Sequence, residues 1–306
     1  MANETSTTEP AERRWSVDEL SRNIHRVNIT LERVGDEQRV LCQSDVHWDN
    51  PHCDRDLLAK HWAQARELDA PILDNGDFFC AMQGKFDKRA NKNDLRPEHQ
   101  NAHYLDSLVD TAADALMPYA DLLTVRGQGN HERSILKVHE THLTERLVQS
   151  VKARTKATPI ALGGYSGYIV FQVEAGGRRK PFKMHYHHGF GGGGAVTRGV
   201  IQTNRQAVYL ADADYVWTGH THDSWTVRIA RVKLNQDNTA IEHTEQVHFR
   251  TSGYKEEYGS GYDGWHVERG APPKPVGAAW LVFKLCGSNG DKGGRGHVEC
   301  DILEAK

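Results

Sequence analysis

Five short polar motifs recur through this 306-residue chain, each just past an apolar stretch that reads as a buried strand. They are Asp45-Val46-His47, Gly76-Asp77, Gly129-Asn130-His131-Glu132, His187-His188-Gly189 and Gly219-His220-Thr221-His222. Singly they are short enough to arise by chance. Together they supply carboxylate, imidazole and amide donors in numbers suited to two adjacent divalent cations, with one imidazole to spare. A dinuclear centre needs a carboxylate able to reach both ions, and Asp77, central in the order and directly after a strand, is the candidate. Asp45 and His47 are two residues apart, so an extended segment would point both the same way, and His220 and His222 repeat that spacing. Asn130 adds a neutral oxygen. Such a donor set suits Mn, Fe, Zn or Ni better than Ca, and its chemistry is hydrolysis of phosphate esters.

The elements that must position these motifs alternate in type. Short strands are expected at Val40–Ser44, Pro71–Asn75 and Asp121–Val125, and helices at Asp54–Leu68, Glu98–Met117 and Leu143–Arg154, where apolar residues recur at helical spacing. From Tyr165 the rhythm is mostly extended, with strands near Tyr168–Val173, Phe182–Tyr186 and Tyr215–Trp217 and a helix over Thr197–Ala211. Four more strands follow, at Val227–Leu234, His243–Arg250, Ala278–Leu285 and His297–Leu303. Alternation followed by strand dominance implies a layered α/β domain with two central sheets face to face. Residues 1–25, polar and without periodicity, are expected to form a flexible tail, and residues 26–306 a single domain with a mostly β C-terminal part.

Composition narrows the classes. The mean hydropathy is -0.66 and no apolar run approaches the roughly 18 residues of a membrane span. The first residues lack the basic start and apolar stretch of a signal peptide, so the expected location is cytoplasmic. Five cysteines, odd in number and without a CxxC pair, are expected as reduced thiols. A net charge of -3 provides no global basic field for nucleic acid. Residues 83–96, however, carry a local net charge of +3 directly after the second motif, which places Lys85 and Arg89 among candidate contacts to a polyanionic substrate. Arg198 and Arg205, on the helix after a glycine-rich turn, are further candidates. So are Tyr254 and Trp265, aromatics among glycines and basic residues that could stack on bases or sugars. That glycine-rich turn lacks the Gly-Lys-Ser/Thr ending of a P-loop.

The series D-x-H, G-D, G-N-H-E, H and G-H-x-H, complete and in order from Asp45 to His222, resembles the calcineurin-like metallophosphoesterase superfamily. The resemblance implies a four-layer αββα sandwich with two central mixed β-sheets and the motifs on loops at one sheet edge. Position by position, it assigns Asp45, His47 and His222 to one metal, Asn130, His188 and His220 to the other, and Asp77 to both. His131 would bind no metal; it would sit beside the phosphate, stabilising charge or protonating the leaving group, with Asp45 or another carboxylate orienting it. His188, immediately before Gly189, fits the family's single histidine; His187 would face the opposite side of its strand and His185 would be a core residue. The implied cofactors are two divalent ions, Mn first, and the implied reaction is hydrolysis by a water activated between them. The Tyr186–Gly192 segment and the Tyr254–Pro275 loop are most similar to metallophosphoesterases of tailed phages and prophages, and more distantly to DNA-repair nuclease subunits. That favours a phosphodiesterase or nuclease acting on DNA or nucleotides, with a phosphomonoesterase of small molecules or proteins as the alternative and a non-catalytic scaffold third. No membrane partner is implied, and the oligomeric state is open.

Overall fold

Hydrophobic residues alternate along several of the long strands, whereas most of the short ones are buried along their whole length, and the fold follows from that difference. The computed structural model describes residues 13–83, 95–192, 194, 196–259, 265–268, 270–287 and 296–306. In chain order the elements begin with β1 (Trp15–Ser21), β2 (Ile24–Leu31), β3 (Glu37–Gln43), α1 (Arg55–Glu67), β4 (Ile72–Asp74) and α2 (Tyr104–Leu116). Next come β5 (Leu123–Arg126), α3 (Asn130–His139), α4 (Leu143–Arg154), β6 (Ala161–Leu162), β7 (Ser166–Ala175) and β8 (Arg178–His187). The chain ends with α5 (Val200–Tyr209), β9 (Tyr215–Thr218), β10 (Trp225–Leu234), β11 (Ile241–Arg250), α6 (Trp265–Glu268), β12 (Ala279–Cys286) and β13 (His297–Glu304).

Two mixed sheets result. One has the order β1-β2-β7-β8-β9-β11-β10, the other β13-β12-β3-β4-β5-β6. In the second, β3, β4, β5 and β6 are parallel, and β4 and β5 are buried at every position. That is the pattern of strands covered on both faces, with the polar residues Asp74 and Arg126 at their C-terminal ends. The inner faces of the sheets meet through Phe171 of β7 and Phe182 of β8, whose rings lie 4.9 and 5.4 Å from Phe283 of β12. Leu58, Trp62 and Ala65 of α1 and the apolar faces of α2 and α4 join the same core. Asp54 caps α1, its side chain accepting from the Leu57 amide. On the other side, Leu210 and Ala213 after α5 form a small separate cluster with Val216 and Tyr168. Among the described residues no helix is long and apolar enough to cross a membrane.

The N-terminal expectation needs correction. Residues 15–25 are not a tail: they form β1 and the start of β2, an antiparallel pair, and β2 also pairs in parallel with β7. His25, Val27, Ile29 and Leu31 alternate inward along β2, a half-buried strand whose polar partners Arg26, Asn28 and Thr30 masked it. Residues 1–12 of the expected tail lie outside the described residues. The helix expected from Glu98 begins instead at Tyr104, after a 3₁₀ turn at Pro97–His99.

Parallel pairing sets the functional edge. Gln43, Asp74 and Arg126 end β3, β4 and β5 at matching register, and His187 pairs with Thr218 where β8 and β9 end. The two edges are joined where they meet. Asn75 Nδ2 donates to the His187 and Trp217 carbonyls at 3.2 and 3.4 Å, and the Ser44 and Thr251 hydroxyls lie 2.6 Å apart.

Candidate metal centre

Three of the five motifs, the first, second and last, place candidate ligands on a backbone that most residues avoid. Asp45, His47, Asp77, His220 and His222 all have positive φ, between 51° and 73°. A left-handed conformation costs an L-residue roughly 1–2 kcal/mol, and such residues persist where surrounding contacts over-determine them. Half of the ten described non-glycine residues with positive φ are therefore candidate ligands, which marks the strand ends as a constrained site. The side chains of Asp45 and His47 do come together with their expected group, but not along an extended segment.

The constraint is visible in the hydrogen bonds. The Asp45 amide donates to the Gly76 carbonyl at 2.9 Å and the His47 amide to the Asp77 carbonyl at 3.1 Å, so the first two motif loops run side by side. Glu132, in the first turn of α3, accepts from the amides of Asp77, Gly129 and Phe79 at 3.1, 2.9 and 2.9 Å. Asp49 accepts from the Cys80 and Ala81 amides and from the Tyr104 hydroxyl. Both acids are buried, and both staple one motif loop to another. Two glycines let the loops approach closely. A Cβ on Gly129 would stand 1.9 Å from Asp77 Oδ1, and one on Gly219 would stand 2.4 Å from Asp45 Oδ2. Each glycine is the surface against which one carboxylate rests.

The side chains then converge in two trios. Asp45, His47 and His222 place one donor atom each within 4.8 Å of one another, as do Asp77, His188 and His220. His222 Nε2 lies 3.6 Å from Asp45 Oδ1 and 3.3 Å from His47 Nε2. In the second group His188 Nε2 lies 3.1 Å from Asp77 Oδ2 and 3.2 Å from Asn130 Oδ1. The groups adjoin, because Asp45 Oδ1 is also 4.0 Å from His188 Nε2. His188 Nδ1 donates to the Asn75 carbonyl at 2.8 Å, which fixes the ring and aims Nε2 into the site. The adjacent histidines behave otherwise. His187 Nδ1 accepts from the Gly189 amide, and His185 Nε2 faces the Ser166 hydroxyl at 3.0 Å.

Charge in this enclosure is unbalanced without a cation. Burial pushes the Asp45 carboxyl up to about 7, and the charge of Asp77 adds to it. Burial also opposes ionisation of Asp77, yet His188 and His131 hold it well below the usual carboxylate range. Burial works against a charge on His188 too, but Asp77 and Asp45 raise it to about 10. Burial and neighbouring imidazoles push His47 well down and His220 to about 4. His47 Nδ1 is buried and finds no hydrogen-bond partner among the described residues. A buried nitrogen left over, two carboxylates and a mixed N/O donor set all fit divalent metal ions.

His131 stands apart from both trios. Its Nδ1 lies 2.7 Å from the Cys80 carbonyl and its Nε2 3.8 Å from Asp77 Oδ2, with its ring edge-on to His47 at 5.0 Å. The expectation that Asp45 orients it is corrected. Asp45 accepts from the Ser44 hydroxyl and the His220 amide, and the Cys80 carbonyl sets the His131 ring.

The candidate substrate contacts fare unevenly. Tyr254 is wholly buried, its hydroxyl 2.8 Å from His61 Nδ1 and its amide donating to the Asp45 carbonyl at 3.0 Å, so it supports the loop from below and offers no face to a substrate. Arg205 is exposed and, among the described residues, its side chain is 3.4 Å from Gln202 on its own helix. Arg198 is exposed, and its carbonyl accepts from Arg250, which in turn holds the Thr221 hydroxyl of the last motif at 2.5 Å. Trp265 begins α6, but its side chain lies outside the described residues, as do Lys85 and Arg89. Sequence reasoning passed over Asp49, Arg250 and Cys80, whose sulfur groups with His47 and His131 within 4.8 Å. Asp49, two residues beyond His47, was the one whose position offered a hint.

No family model and no curated protein matches the chain. Among solved structures it is similar to one described as GAP50, the anchor in the inner membrane complex of Plasmodium. The identity is 10% and the TM-score 0.43, over 88% of this chain and 84% of that one. What the site can do is therefore read from its own residues.

Proposed function

We propose that the chain is a dinuclear metal-dependent phosphoesterase of the calcineurin-like superfamily, built as a four-layer αββα sandwich and acting on phosphodiesters of DNA or nucleotides. One observation carries this reading: strand ends from two different sheets bring Asp45, His47 and His222 beside Asp77, His188 and His220, with His131 at their margin. Asp45, His47 and His222 would hold one ion. Asn130, His188 and His220 would hold the other, with Asp77 serving both. When bound, such ions lower the pKa of a water and neutralise phosphoryl oxygens.

The remaining chemistry belongs to the chain. His131, donating Nδ1–H to the Cys80 carbonyl, keeps Nε2 available to deliver a proton to a departing alkoxide. Its side chain is 14% exposed, whereas that of Asp77 beside it is 2% exposed, which suits a group that must meet both site and substrate. Glu132 and Asp49 hold the loops so that ligands need not reorganise on binding. The likeness of Tyr186–Gly192 to phage-type enzymes supports a diester substrate.

Hydrolysis of p-nitrophenyl phosphate, its bis-ester, and labelled single-stranded and duplex DNA by chelator-stripped, Mn-reloaded protein tests this. We expect cleavage of the bis-ester and DNA, abolished in Asp77→Ala. Activity confined to the monoester would replace the diesterase reading with a phosphomonoesterase, and no Mn-dependent hydrolysis of any of them would overturn the enzyme reading.

A further inference from the structure

A second group of metal donors lies on the β12–β13 hairpin, away from the motif edge. Cys286 pairs directly with His297 across the ladder, and Glu299, two residues on, shares the His297 face of β13. Their donor atoms all lie within 4.8 Å of one another. The Cys286 thiol points to Glu299 Oε2 at 3.4 Å, and His297 Nε2 lies 2.7 Å from Glu299 Oε1. One carboxylate therefore faces both other donors, and the three side chains converge on one volume.

We propose that Cys286, His297 and Glu299 form a separate site for a thiophilic divalent cation of the Zn2+ type, completed by solvent. Thiolate, imidazole and carboxylate are each Zn2+ ligands, and three protein donors with an open fourth position is an established coordination. Tetrahedral coordination at ordinary Zn2+ distances separates donors by about 3.4–3.6 Å. Cys286 Sγ already stands at such a spacing from Glu299 Oε2, while His297 Nε2 lies 2.7 Å from the other oxygen, Oε1, so one ion would be held through both carboxylate oxygens or after a turn of the carboxylate. A regular antiparallel ladder fixes the backbone beneath all three, so little order is lost on binding. The two trios expected to hold ions at the motif edge offer nitrogen and oxygen alone, and the sulfur nearest them is that of Cys80, beside His47 and His131. Its effect would be a cross-strand clip on β13, which closes the second sheet as an edge strand.

Co2+ added to the full-length, reduced, chelator-stripped chain tests the site, because a thiolate ligand gives Co2+ a near-ultraviolet charge-transfer band that nitrogen and oxygen ligands do not. The band should appear in the wild type, vanish in Cys286→Ser, and be bleached by stoichiometric Zn2+. In His297→Ala the affinity should fall about tenfold or more. Cys80→Ser is the control, since Cys80 is the other sulfur near candidate ligands, and it should retain the band. Cys286 and His297 lie at the hairpin surface, so circular dichroism of those variants should be unchanged. A band absent from the wild type, retained by Cys286→Ser or lost only in Cys80→Ser overturns the proposal. Phosphoesterase activity should not differ between wild type and Cys286→Ser.

Discussion

Filling the motif-edge site should release protons, and the number follows from two buried groups. In the metal-free chain His188 is raised to about 10 by Asp77 and Asp45 against the effect of burial, so at pH 7 it is fully protonated. Asp45, pushed up by burial to about 7, is about half protonated there. Both must be deprotonated to ligate, so metal loading at pH 7 should release between about one and two protons from these two residues. Displacing the His188 proton, three pH units below its midpoint, costs about 4 kcal/mol of intrinsic metal affinity. Apparent affinity should therefore rise about tenfold per pH unit from 7 towards 10, and more steeply below 7, where Asp45 also contributes. The sign is fixed: acid weakens binding, because both shifted groups hold protons more tightly in the folded, metal-free site than they would in water. Calorimetric titration of stripped protein with Mn2+ in two buffers of different ionisation enthalpy reads the proton count directly. A heat independent of buffer, with affinity unchanged between pH 6 and 8, would refute the reasoning.

Other variants separate the roles of neighbouring residues. His131→Ala should keep its Mn2+ content while turnover falls by about 10²–10⁴, the usual worth of a general acid, as steady-state kinetics with metal analysis would show. Gly129→Ala and Gly219→Ala each place a methyl group where a ligand carboxylate sits, and overpacking of this kind costs about 1–3 kcal/mol. Both should bind Mn2+ more weakly and unfold at lower denaturant concentration, whereas Gly176→Ala, in open surroundings at a turn, should leave metal binding unaltered. Tyr254→Phe removes the partner of His61 Nδ1 and should cost about 1–3 kcal/mol of stability with no change in KM. A raised KM without lost stability would restore Tyr254 as a substrate contact.

Much of the site was legible because its residues come in pairs with strand ends. Parallel strands such as β4 are short and wholly buried, so a polar motif in the turn that follows one, as Gly76-Asp77 does after β4, stands out in sequence. The helices α1 and α4 were legible from their apolar spacing, and α4 has the expected bounds of Leu143 and Arg154. Long-range supports were not legible. Asp49 and Glu132 both accept amides from a loop 30 or more residues away, and although each lies in or beside a motif, nothing local shows that partner. Tyr254 misled for the converse reason: aromatic residues among glycines read as an exposed loop, yet Gly253 lets the chain pass against Asp45 and carries Tyr254 into the core. The first two strands were hidden because half of each faces solvent, and the positive φ shared by five candidate ligands depends on contacts between both sheets.

The central claim is that two metal ions share the motif edge. Electron paramagnetic resonance of stripped protein titrated with Mn2+ tests it directly, since ions roughly 3.5–4 Å apart are exchange-coupled and isolated ions are not. The account predicts two bound Mn2+ per chain with a coupled spectrum that is lost in Asp77→Ala. A single uncoupled ion, or a spectrum indifferent to that substitution, would contradict it.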